Sequence, residues 1–249
     1  MKWRNHVDVT TQVADALGLS EHMTRILVEA SLDPDRNAAK NASREKGGTR
    51  LRRIPHHSAG RREMMRMVWK ARTAHLEGRE EDAVWCLGRA LHYVQDMHVR
   101  IGLAYWRHDR AEREIGHLHL DPLPASKGVQ MSLSSPHFVW DCLGACRPRR
   151  DPADALYFAC LYSGAVAGAV LGDLRPEKAS MRRWQSSKRR HWMLIVPVGV
   201  GVASAFVLLA FAGGSPHLSV LGPPAAALII ALDRRYYFDA EEAEWFGLR

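Results

Sequence analysis

Apolar positions in the first 180 residues recur at three- and four-residue steps rather than in alternation, the period of helices that bury one face. The clearest cases are Arg62 to Leu76 and Glu80 to Val99, where Leu87, Leu91, Val94 and Met97 form one stripe. Shorter amphipathic segments run from His6 to Leu17 and from Glu21 to Ala30, and a further helix is expected from Tyr105 to Ile115. Arg36 to Pro55 is charged, contains glycine and has no period, so it reads as a loop. Asp151-Pro152 has the form of an N-cap followed by proline at the first helical position. It opens an apolar helix, Ala153 to Leu171, whose alanines and glycines predict close packing. No strand alternation stands out. The pattern predicts an all-α domain over residues 1–180.

Beyond that point the pattern changes. MRRWQSSKRRHW is basic and aromatic, and the run from Trp192 to Gly214 carries no charge. Its length matches the roughly 20 residues that a membrane-spanning helix needs. A second apolar run, Pro216 to Leu232, contains Pro223-Pro224 and is followed by Arg234, Arg235, Tyr236 and Tyr237, which resemble an interfacial anchor. Residues 181–249 are therefore expected to form a basic linker and a membrane hairpin, with spans at about 192–214 and 216–232. The clusters Arg182-Arg183, Lys188-Arg189-Arg190 and Arg234-Arg235 flank the hairpin, while its turn, AGGSPH, is uncharged. The positive-inside rule then places the helical domain and the C-terminus in the cytoplasm. The N-terminal stretch lacks the uninterrupted apolar region of a secretory signal, which agrees with that orientation.

The formal net charge of +8 suits an anionic partner, whether a phospholipid surface, nucleic acid or a phosphate ester, without choosing among them. The cysteines, Cys86, Cys142, Cys146 and Cys160, form no CxxC pair. Neither a disulfide framework nor a thiolate zinc site is expected, and reduced, buried thiols are.

The chemistry lies in the histidines. His92 and Asp96 stand four apart in an otherwise apolar helix, and His108 and Glu112 repeat that spacing. Residues four apart share a helix face, so each pair can converge on one point. His6, Asp33, Asp35, the adjacent His56-His57 and His98 complete the set. A single pair of this kind fits a satisfied polar contact; two on successive helices point to a metal site. Neutral imidazole and carboxylate are the ligands zinc takes when thiolates are absent.

The strings LDPD near residue 33, HH at 56, AVWCLGRALHYVQDM and HDRAE occur in this order. Over about residues 1–175 the chain thereby resembles the zinc-dependent phospholipase C family, whose fold is shared with single-strand-specific zinc nucleases. The resemblance implies an all-α bundle holding up to three zinc ions and hydrolysing phosphodiesters. With the apolar hairpin, that means a membrane-anchored hydrolase acting on phospholipid headgroups, with nucleic acid or another phosphoester as alternative substrate. By position, His92 would bind one zinc together with Asp35 and His57, with Asp33 and His56 as the alternatives at those two places. Asp96 would bridge two metals, His6 would serve the second, and His108 and Glu112 would hold the third. Asp35 would also orient or deprotonate the attacking water. The chain departs from the family at Ile101 and Gly102, where a histidine is usual, and His98 is the nearest substitute. It departs again at Trp3, which stands behind Met1-Lys2 where secreted members use a processed N-terminal tryptophan amine as ligand. A catalytically degenerate metal-binding membrane protein is the remaining expectation.

Overall fold

The computed structural model describes residues 1–36, 42–44, 51–53, 60–99, 113–118, 121–173, 175–213 and 216–248. Among the described residues the regular structure is helical apart from one short antiparallel ladder, β1 (Ala42–Arg44) with β2 (Leu51–Arg53), in register Ala42 to Arg53. That ladder lies in the segment whose sequence reads as loop. Two compact units divide the chain, Met1–Asp173 and Leu174–Arg249.

The first unit holds α1 (Trp3–Leu17), α2 (Glu21–Arg36), α3 (Arg61–Leu76), α4 (Glu80–Asp96), α5 (Leu123–Met131), α6 (Pro136–Ala145) and α7 (Pro152–Leu171). Helix α1 stops at Gly18, whose φ of +66° suits glycine and lets the Gly18 and Leu19 amides close on Asp15 and Ala14 carbonyls. Helix α2 continues past the expected end at Ala30 through Pro34. Leu32 and Pro34 are buried in those last turns, where α2 packs on α4. Tertiary contact there outweighs the local preference of Asp33-Pro34-Asp35 for a turn.

Helices α5 and α6, too short for the period to stand out, are marked by their caps. Asp121 Oδ1 accepts from the Leu123 amide at 2.9 Å, and Ser135 Oγ accepts from the amides of His137 and Phe138. Asp151 caps α7 as its sequence predicts, accepting from Ala153 at 3.0 Å.

Two helices form the middle of this unit. Ala90 to Asp96 of α4 are buried without interruption, and most of α7 is too. Glycine allows the close approaches. A Cβ on Gly128 would stand 2.1 Å from the Leu161 carbonyl, and one on Gly164 2.4 Å from that of Ala125, so α5 and α7 touch backbone to backbone. Gly88 does the same for α4 and α2. Buried Arg72 of α3 donates to the carbonyls of Val170 (2.9 Å), Gly172 (3.1 Å) and Asp173 (2.6 Å), satisfying the end of α7. Burial lowers its pKa to about 10, against the pull of Asp173.

In the second unit α8 (Lys178–Arg190) runs through a π turn (His191–Ile195) into α9 (Val196–Ala212), followed by α10 (His217–Ala231) and α11 (Arg234–Trp245). The stretch expected to be a basic linker is thus helical. Its partner supplies the reason: Trp184 is buried with Ala240 and Ala243 of α11, beside Met181 and Tyr236. Helix α9 packs on α10, and the two continue into the α8–α11 pair. At the junction the buried Asp233 carboxylate accepts from Arg190 and faces His191 Nδ1 at 3.0 Å, while the His191 ring stacks on Tyr236 at 3.7 Å.

Among the described residues two helices are long and apolar enough to cross a membrane, Pro152–Leu171 and Lys178–Ala212. Burial separates them. The apolar window of the first is 72 % buried as a core helix, whereas that of the second is 11 % buried. Val200, Leu208, Leu209, Phe211, Val220, Leu221 and Leu228 of the hairpin are exposed.

Candidate metal centre

Three elements of the first unit deliver polar side chains to one buried point. Helix α1 brings His6, the end of α2 brings Asp35, and α4 brings His92 and Asp96. Both rings are fully buried and stack on each other with centroids 4.4 Å apart. The ligand atoms of His6, Asp35 and His92 all lie within 4.8 Å of one another.

The individual separations are informative. His92 Nε2 is 3.5 Å from Asp35 Oδ1 and 3.4 Å from Asp96 Oδ2, and His6 Nε2 is 3.3 Å from Asp96 Oδ1. Charge-assisted N–H···O bonds run shorter, at about 2.7–2.9 Å. Donors around a tetrahedral zinc with bonds of about 2.0–2.2 Å stand about 3.3–3.6 Å apart, the edge of that tetrahedron. The donor set and its spacing could therefore hold a metal ion.

Asp96 turns one oxygen toward each ring, the geometry of a carboxylate serving two positions. The amino group of Met1, itself buried, donates to Asp96 Oδ1. An amine thus reaches the cluster, although Trp3 is 51 % exposed and turned outward with Arg36 stacked over its ring at 5.1 Å.

Of the two acidic residues in LDPD, Asp35 joins the cluster, while Asp33 is 3.2 Å from Arg89 Nε. His98 lies outside it, fully buried and stacked on Tyr162 at 5.6 Å and Phe158 at 6.5 Å. Burial, and then the Arg149 guanidinium, push its pKa down to about 4, so the ring is neutral. His56, His57, His108 and Glu112 lie outside the described residues, as do Ile101 and Gly102.

Gln95 was not singled out by the sequence. It is fully buried, its Oε1 lies 2.6 Å from His6 Nδ1, and its amide donates to Thr10 Oγ1 at 3.1 Å. A signal was available, since His6 and Thr10 share a face of α1 at the four-residue spacing. Tyr93 is also buried, and burial raises its hydroxyl to about 12.

No family model, no curated protein and no solved structure matches this chain. Fold and site together define an all-helical protein with two potential membrane-spanning helices and a buried His/Asp group that could hold a metal ion.

Proposed function

We propose that the chain is a membrane-anchored, zinc-dependent phosphodiester hydrolase of the phospholipase C type, acting on phospholipid headgroups. The observation that carries this reading is the convergence of His6, Asp35, His92 and Asp96 at metal-ligand spacing inside a helical bundle. The exposed apolar hairpin, with its flanking Arg and Lys residues, supports anchoring in a lipid bilayer.

In this reading His92 and Asp35 would hold one zinc, and Asp96 and His6 would be available to a second. The residues at 57, 108 and 112 would complete a cluster of up to three ions, as the family resemblance implies. When bound, zinc acidifies a water toward neutral pKa and polarises phosphoryl oxygens as a Lewis acid. Asp35, with 9 % of its side chain exposed, holds the attacking water in line or takes its proton.

The test uses the full chain purified in detergent, stripped with chelator and reloaded with zinc. Release of a phosphorylated headgroup from phospholipid should appear with zinc and vanish with chelator. His92→Ala and Asp96→Ala should each remove tightly bound zinc and abolish release. Unchanged zinc content in both variants would sink the site. Chelator-sensitive cleavage of single-stranded nucleic acid, without lipid hydrolysis, would move the activity to a nuclease. Bound zinc with neither reaction would leave a metal-binding membrane protein.

A further inference from the structure

A ligand histidine works only if the nitrogen facing the metal carries a lone pair, which the group on the other nitrogen decides. At His6 that other group is identifiable. Nδ1 faces Gln95 Oε1 at 2.6 Å, and Nε2, which no hydrogen bond reaches among the described residues, faces Asp96 Oδ1 at 3.3 Å.

The Gln95 amide spans two side chains of α1. Its Nε2 is placed 3.1 Å from Thr10 Oγ1, to which it donates, and its carbonyl end is turned to the imidazole. A carbonyl oxygen can only accept, so His6 Nδ1 carries a proton, and in the neutral ring Nε2 then keeps the lone pair. His6, Thr10 and Gln95 are all fully buried.

We propose that Gln95, held by Thr10, is a positioning residue that fixes His6 as its Nδ1–H tautomer and so presents Nε2 to a bound metal ion. The role in metal binding rests on the zinc reading above; the tautomer does not. The chain Thr10, Gln95, His6 links α1 to α4 across the unit, so the same contacts that pack the two helices also aim the ring. Partners of this outer kind are worth about 10–100-fold in metal affinity.

The tautomer can be read directly from long-range proton–nitrogen spectra of the full chain, labelled with ¹⁵N-histidine in detergent at a pH where the rings are neutral. His6→Asn identifies the signal by its loss. The metal-free protein should show His6 protonated on Nδ1. Gln95→Glu keeps an acceptor and should keep that tautomer, whereas Gln95→Met removes it and should shift population toward Nε2–H, with Asp96 as acceptor. Thr10→Val retains Gln95 but frees its amide to turn, and should give a mixture. A wild-type ring protonated on Nε2, or one unchanged in Gln95→Met, overturns the proposal.

Zinc affinity, measured by competition with a chromophoric chelator, forms the second arm. Gln95→Met should bind about 10–100-fold more weakly and Gln95→Glu no more weakly than wild type. Equal affinity in Gln95→Met despite a changed tautomer would overturn the positioning role. Failure of every form, wild type included, to bind zinc would refute the hydrolase reading, and the spectra would still decide the tautomer.

Discussion

Enlarging Gly88 should damage fold and site together. A Cβ at this position would stand 2.5 Å from the Leu27 carbonyl oxygen and 2.7 Å from Ala30 Cβ, both rigid parts of α2. Real Cβ contacts are not found below 3.0 Å, so α2 and α4 must part by at least 0.5 Å, the difference of 3.0 and 2.5. Asp35 rides on α2 and His92 on α4, 3.5 Å apart. Metal–ligand distances tolerate only about 0.2 Å, so even the smallest shift exceeds what a bound ion accepts. Overpacking costs about 1–3 kcal/mol. In Gly88→Ala, the better helix propensity of alanine offsets about 1 kcal/mol of this. Gly88→Val adds two methyls and gains less from propensity, so about 2–3 kcal/mol is expected. For a unit of this size that lowers Tm by about 4–12 °C. Zinc affinity should fall in the order Gly, Ala, Val, by about tenfold or more at Val. Gly18→Ala serves as control: nothing lies within 4 Å of its Cβ, and its left-handed backbone costs about 1 kcal/mol with no change in zinc affinity. A Gly88→Val protein that melts with wild type would refute the packing argument. One that melts early yet binds zinc as well as wild type would refute the link from helix spacing to the site.

Replacing Arg72 with Met should cost about 3–5 kcal/mol in denaturant unfolding, because carbonyls at the end of α7 lose a charged donor; Arg72→Lys should recover only part, and full stability in Arg72→Met would refute that role. Burial raises the thiols of Cys142 to about 11 and of Cys146 and Cys160 to about 12, and also raises Cys86. All four are therefore protonated at pH 8 in the native state, and a thiolate-directed reagent should label only half-buried Cys86, slowly, until denaturation exposes the rest. Rapid labelling of Cys146 in native protein would contradict the fold around it. Topology reporters placed before Trp192 and after Arg249 should both read as cytoplasmic if both apolar helices cross. Opposite locations would mean a single crossing.

The helical class was legible because the apolar period is a local property of the chain. The strong periods at Arg62 to Leu76 and Glu80 to Val99 correspond to α3 and α4 within a few residues. The Asp151 cap and the tight Ala/Gly helix after it were equally local. Where neighbours decided, the sequence pattern fell short. Helix α2 outran its turn-forming residues because α4 supports its last turns, and α8 is a helix because Trp184 has α11 to bury against.

At the site, spacing alone nominated His92 and Asp96, since residue types and four-residue steps need no fold to be counted, whereas His6 and Asp35 were expected from the resemblance to zinc-dependent phospholipase C. Asp35 was preferred to Asp33 from the sequence, and the structure puts Asp35 in the cluster and Asp33 beside Arg89; the place of His98 required the aromatic side chains of α7 around it. Gln95 marks the boundary most clearly. Nothing in its own neighbourhood announces a role, because a hydrogen bond to a side chain 89 positions away is set by how two helices pack. Periodicity, caps and ligand types are written along the chain; distances between ligands from three helices exist only once the core has closed around them.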